Sequence, residues 1–345
     1  MPTKKERPYS PSWVDRFTDW LNSLPVPVWL SIALIYLLAV SSFHLAYWLD
    51  GGVPFWTVDP FLLFNGVWSV IGLIFIMSLH RIANQAIDKF STLVPRKGKE
   101  LELLRYQMTT IPAGLAALLT LIVVVGISAG AYFDPSFLGV SQPIPVLIFI
   151  VGVIFSYSFA PIMLVHGFRQ LTMVIKAYRM VDEVNLFHLQ PLYAFSGLSM
   201  TSSMFWVVIL NLNFISNSWS GVSSVSNTTL SIFLAVLYVL LAFATFIAPL
   251  WGIHVRIRQT KEEAIEENGL QIEKAHQSLY RLLNKADYKK TTDLEKTLAS
   301  LYNMRAQIEK VPTWPWNAGT LRGFLSAVFL PLGIWFTQQI LLRFF

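Results

Sequence analysis

A chain of 345 residues that is 54% hydrophobic and 13% charged, with a mean hydropathy of +0.53, lies outside the range of soluble domains. Its formal charge of +6 and pI near 9.4 fit a basic face attracted to anionic lipid headgroups, with no need of nucleic acid. The absence of cysteine excludes disulfides, thiolate metal sites and thiol nucleophiles.

Residues 1–27 read as a cytoplasmic tail. Within "PSWVDRFTDWLNSLPVP", Trp13, Phe17, Trp20, Leu21 and Leu24 recur at helical spacing, and Asp15, Arg16, Asp19 and Asn22 take the other face. The pattern predicts an amphipathic helix lying in the interface, with Pro25 and Pro27 turning the chain into the bilayer. No cleavable signal peptide is expected, because the first apolar run starts late and lacks a small-residue cleavage site.

Seven apolar stretches follow, at residues 28–48, 61–79, 113–133, 145–165, 193–214, 230–253 and 324–342. Each is about 20 residues long, enough to cross a hydrocarbon core roughly 30 Å thick as a helix. The expected fold is therefore an all-α polytopic membrane protein. With the N-terminus inside, every one of the 26 Lys and Arg except Arg343 falls on the cytoplasmic side, and the outer loops carry only Asp50, Asp59 and Asp134. An integral protein of the plasma or cytoplasmic membrane, with its C-terminus outside, is the expectation.

The first six stretches, residues 28–253, read as three repeated hairpins, and residues 317–345 as a lone seventh helix. "APIMLVHGFR" at 160–169 returns as "APLWGIHVRIR" at 248–258. His80, His166 and His254 each close an even-numbered stretch, while Pro27, Pro112, Pro191 and Pro315 precede the odd-numbered ones, where a first helical turn tolerates proline. Parallel repeats of this kind imply a pseudo-axis along the membrane normal. Around such an axis His80, His166 and His254 would converge as candidate metal ligands. No HxxxH or HExxH spacing supports that, so neither metal nor cofactor is expected. With Arg81, Arg169, Arg256 and Arg258 the same histidines are candidates for lipid phosphate.

Residues 254–316 read as a cytoplasmic antiparallel helical hairpin. Ile265, Ile272 and Leu279 repeat every seven residues, with Ala275 and Leu282 in the complementary positions; Leu294, Leu301 and Ile308 do likewise, with Met304 between. Thr292 and Glu295 form a capping-box pattern, and Asn268-Gly269 is a candidate break in the first arm. Leu283 and Leu298 stand one position off these seams and are expected to face another subunit or a separate protein. Trp314 and Trp316 then read as an aromatic belt.

The seven apolar cores hold no Asp, Glu, Lys or Arg, which argues against a carboxylate-driven pump and an arginine voltage sensor. No phosphate-cradling loop and no catalytic constellation occurs. What remains polar is Ser196, Ser199 and Ser203 on one helical face with Asn211 beyond them, and the amides Gln338 and Gln339 in the last helix. Such residues either line a hydrated path or glue helices together. Gly126 and Gly130 form a GxxxG pattern expected to pack against a neighbour.

Seven helices with the N-terminus inside, and a cytoplasmic helical extension before the last, resemble the topology of insect odorant and gustatory receptor channels. The gustatory helix-7 pattern, Thr-Tyr followed by Gln-Phe, is replaced here by "WFTQQI", so the resemblance ends at topology. The seven-pass progestin and adiponectin receptors share that topology too, but their His-rich metal motifs are missing. The residues favour an oligomeric channel or facilitator with an uncharged path near helices 5 and 7. The alternative is a membrane-anchored scaffold or sensor recruiting a partner through the hairpin, and the third reading is a metal-dependent membrane enzyme.

Overall fold

The computed structural model describes residues 7–134, 138–219, 225–284, 288–316 and 318–344. Side chains at 213–231, 288–289, 318, 331, 335–336 and 338–344 lie outside that description. The described residues are 84% helical, and among them extended pairing is confined to one isolated bridge, between Pro11 and Pro112. Helices satisfy their backbone groups internally, as an apolar environment requires.

In chain order the helices are α1 (Trp13–Ser23), α2 (Val28–Asp50), α3 (Pro60–Gly66), α4 (Trp68–Phe90), α5 (Gly98–Thr109) and α6 (Ala113–Phe133). They continue as α7 (Pro143–Arg179), α8 (Ser196–Trp219), α9 (Val225–Asn284), α10 (Tyr288–Lys310) and α11 (Ala318–Phe344). Among the described residues six stretches are long and apolar enough to cross a membrane, and α11 adds a shorter apolar run, Gly319–Ile334. The protein is therefore a membrane protein of the helical class.

Local chemistry sets several boundaries. Pro27 and Pro112 stand at the N-caps of α2 and α6, where their missing N–H costs no bond. Gly51, at φ +81°, ends α2 in the left-handed conformation that glycine adopts freely. The second apolar stretch is two helices rather than one. Asp59 caps α3, and a tight turn from the Val67 N–H to the Phe64 carbonyl separates it from α4.

The histidines do not end their helices. α7 continues past His166 to Arg179, and α9 runs 60 residues without a break, through Pro249 and His254 to Asn284. The expected break at Asn268-Gly269 is absent, because Asn268 is buried in the hairpin and its amide donates to the Leu301 carbonyl at 3.2 Å.

α7 is the central element and packs against α2, α4, α6 and α9. It meets α4 closely because Gly72 has no side chain: a Cβ there would sit 2.7 Å from the Phe159 Cβ and 2.8 Å from its carbonyl carbon. α6 is the opposite case. Only Ala116 is buried, and Leu118, Leu121, Ile122 and Val125 are exposed, as lipid-facing residues are. Gly126 of the GxxxG pattern, expected to pack, is open instead, since nothing lies within 4 Å of a Cβ built on it.

One end of the bundle gathers α1, α5, the end of α7 and the root of α9. Residues 10–13 and 111–113 run side by side there, Ser12 N–H donating to the Ile111 carbonyl and Ala113 N–H to that of Ser10. α1 is held by a capping box between Ser12 and Asp15, and it packs into the protein. Val14, Asp15, Thr18 and Leu21 are its buried residues, whereas Trp20, expected on the apolar face, stays exposed. Asp15 is thus not a solvent-facing residue.

α9 and α10 form a two-helix hairpin around Ile272, Ala275 and Leu298, with Leu279, Leu294 and Leu301 packed against them. Here Leu298 departs from expectation. It is 6% exposed and sits in the seam, while Met304 faces outward. Leu294, Leu298 and Leu301 are spaced four and three apart, the alternation of a coiled-coil seam. Leu283 does remain exposed.

Candidate functional site

A cleft of about 760 Å³, lined by both polar and apolar residues, opens at this same end, between α1, α2, α4 and α5. α1 contributes Asp15, Thr18, Asp19 and Asn22, which recur at helical spacing and so share one face. α4 contributes Ser78, His80, Arg81 and Asn84, and α5 adds Tyr106 and Thr109. The size is that of a small-ligand pocket, for which about 300–1,000 Å³ is usual.

Asp15 is fixed from one side. Its Oδ2 accepts from the Ser12 N–H and hydroxyl, both at 2.8 Å, and from the Ile111 N–H at 3.0 Å. Its Oδ1 is buried and accepts nothing from the protein. Burial pushes the carboxyl above its usual range, and the bonds from Ser12 and Ile111 pull the other way.

In the wall of the cleft, His80 Nε2 lies 3.0 Å from His166 Nε2. Since one nitrogen must donate and the other accept, both rings cannot be protonated at this contact. His254 is elsewhere: its ring stacks on Trp314 with centroids 3.8 Å apart, and Nδ1 contacts the Thr313 carbonyl at 3.1 Å. The three histidines therefore do not converge. Among the described residues no group of three His, Cys, Asp or Glu is placed to hold a metal.

The arginines named for lipid phosphate separate in the same way. Arg169 donates to the Tyr9 hydroxyl at 2.7 Å and lies over the Tyr9 ring. Arg256 donates to the carbonyls of Tyr178 and Val181, capping the end of α7. Arg258 pairs with Glu262 four residues on. Arg81 alone of the four faces the cleft, and it is exposed with no ion pair among the described residues.

The serine face of α8 is turned into the protein. Ser196, Ser199 and Ser203 are all buried. The hydroxyls of Ser196 and Ser203 donate to carbonyls three residues back in their own chain segment, and the Asn211 amide donates to the Val207 carbonyl. The Ser199 hydroxyl between them is buried without a hydrogen-bond partner among the described residues. The side chains of Gln338 and Gln339 lie outside the described residues.

Sequence reasoning missed Asp15 and Gln170 as buried polar groups and Tyr9 as a half-buried one. The amide of Gln170 donates to the Met108 carbonyl at 2.6 Å. One signal was available: Ser12 followed three residues later by Asp15 is a helix-start pattern, and it marks Asp15 as a backbone-bonding residue. Compared with family models, with curated proteins and with solved structures, the chain matches none.

Proposed function

We propose that the chain crosses the membrane seven times, with its N-terminus and hairpin in the cytoplasm, and works as a membrane-anchored scaffold or sensor. The basic residues gathered at the hairpin end of the bundle support that orientation. The observation that carries the function is α9, one uninterrupted helix from the apolar body into the hairpin. Its root is clamped at several points. Arg256 holds the end of α7, Lys261 donates to the carbonyls of Glu309 and Val311, and His254 stacks on Trp314. A rigid, clamped rod transmits or presents a position, whereas a flexible linker would serve for mere attachment. The exposed Leu270, Tyr280, Leu283, Tyr302 and Met304 support docking of a second copy or a separate protein on this rod. The burial of Ser196, Ser199 and Ser203 weighs against a path through a single chain.

The test places a photoreactive residue at Leu283 and at Tyr302 of the full-length protein in its own membrane. A discrete protein adduct is expected, lost when a Gly-Ser break is inserted after Gln259. A reporter inserted at Ala286 should lie inside and one fused after Phe345 outside. Lipid adducts alone, together with solute flux in liposomes that survives replacement of residues 262–309 by a short linker, would overturn the scaffold and restore the channel.

A further inference from the structure

The cleft carries charge of both signs without pairing it. α1 brings Asp15 and Asp19 to its wall, while Arg81 of α4 and Arg7 bring the opposite sign. No ion pair joins the two sets among the described residues. Arg105, the neighbouring cation, is taken by Asp88, and Arg7 lies over the ring of Tyr106. Asp15 is 6% exposed, and its Oδ1 lacks any donor. An unpartnered buried carboxylate oxygen costs free energy unless something donates to it. A site of this kind complements a ligand that is itself dipolar.

The cleft also changes character towards the bilayer. Val28 and Ile32 line it from α2, and Ile74 and Met77 from α4. On α2 the same helical stripe continues as Ile35, Ala39 and Ser42, which line a separate apolar groove of about 450 Å³ between α2 and α7. Phe155, in that groove, meets Phe17 of α1, the helix that carries Asp15 and Asp19. One stripe of α2 therefore borders first a polar space at the helix ends and then an apolar one within the span.

We propose that cleft and groove together hold a single membrane lipid whose headgroup joins a primary ammonium to a phosphate. The phosphate lies on Arg81, an arginine being suited to two phosphate oxygens. The ammonium donates to Asp15 Oδ1 and to Asp19, and an acyl chain follows the α2 stripe into the groove. A quaternary ammonium has no N–H to give Asp15, and a headgroup without an amine leaves both carboxylates facing a phosphate. This assignment is independent of what the hairpin recruits.

The experiment titrates the purified full-length chain in detergent with phosphatidylethanolamine, phosphatidylcholine and phosphatidylglycerol, reading bound lipid by native mass spectrometry. Soluble phosphoethanolamine serves as competitor. The ethanolamine lipid should bind about tenfold or more tighter than the other two, the effect of one charge-assisted hydrogen bond. Asp15→Asn should abolish that preference, because its oxygen can keep the Ser12 and Ile111 bonds while its amide presents a donor towards the ammonium. Asp19→Asn and Arg81→Gln, at exposed positions, should weaken binding with unchanged melting temperature. Val151→Trp, which fills the groove, should weaken the lipid but not the free headgroup. Equal binding of the three lipids, or an unaltered preference in Asp15→Asn and Asp19→Asn, would overturn the proposal. Free phosphoethanolamine binding as tightly as the lipid would overturn the lipid in favour of a soluble ligand.

Discussion

Replacing Gly72 with alanine tests the contact on which the centre of the bundle depends. The new Cβ would lie 2.7 Å from the Phe159 Cβ, 2.8 Å from the Phe159 carbonyl carbon and 3.0 Å from the Ala160 nitrogen. Carbon atoms rest at roughly 3.5–4.0 Å, so α4 and α7 must part by about 1 Å. Two of the three obstructing atoms are backbone, which no rotamer change can move aside. Overpacking costs typically about 1–3 kcal/mol, and a backbone clash belongs at the upper end. At about 3 kcal/mol the folding equilibrium shifts roughly a hundredfold. The same displacement would stretch the 3.0 Å contact of His80 with His166, which lies further along both helices. The control is Gly126→Ala, where nothing stands within 4 Å and alanine is the better helix former. Thermal unfolding in detergent should place Gly72→Ala several degrees below wild type and Gly126→Ala at or above it. A Gly72→Ala protein melting with wild type would show that α4 and α7 do not approach this closely.

The hairpin gives a second contrast: Leu298→Glu buries a carboxylate in the α9–α10 seam and should expose the hairpin to protease, whereas Leu283→Glu, at an exposed position, should leave proteolysis unchanged. Asp15 gives a pH dependence. Burial holds its folded pKa above the ordinary 3.8, so its stabilising contribution is complete below that value and is lost as pH rises through the raised folded pKa. Melting of delipidated protein should therefore fall over that window in wild type and lose this component of the slope in Asp15→Asn; parallel profiles would remove Asp15 as the cause.

The amino-acid sequence determined what depends on hydrophobicity along one helix. Six of the seven apolar stretches, the α6 limits at Ala113 and Phe133, Pro27 and Pro112 at the starts of α2 and α6, and the existence of a helix near Trp13 were legible, because period and capping are local properties. The seam of α10 shows where locality stops. Leu294, Leu301 and Ile308 repeat every seven residues, but either Leu298 or Met304 completes such a repeat. Only the side on which α9 lies selects Leu298. The histidines are the sharper case. His80, His166 and His254 occupy like positions in the sequence, yet α4 and α7 touch through Gly72 and bring two of them together, while Trp314 takes the third. Arg169 and Arg256 likewise find partners far off in the sequence, the Tyr9 hydroxyl and the carbonyls ending α7. Asp15 looks like one polar residue among several on α1 until the Ile111 N–H, 96 positions away, reaches it. Tertiary structure decided these partners because a hydrogen bond needs its groups within about 3 Å, and sequence periodicity fixes direction around one helix without fixing which other helix stands there.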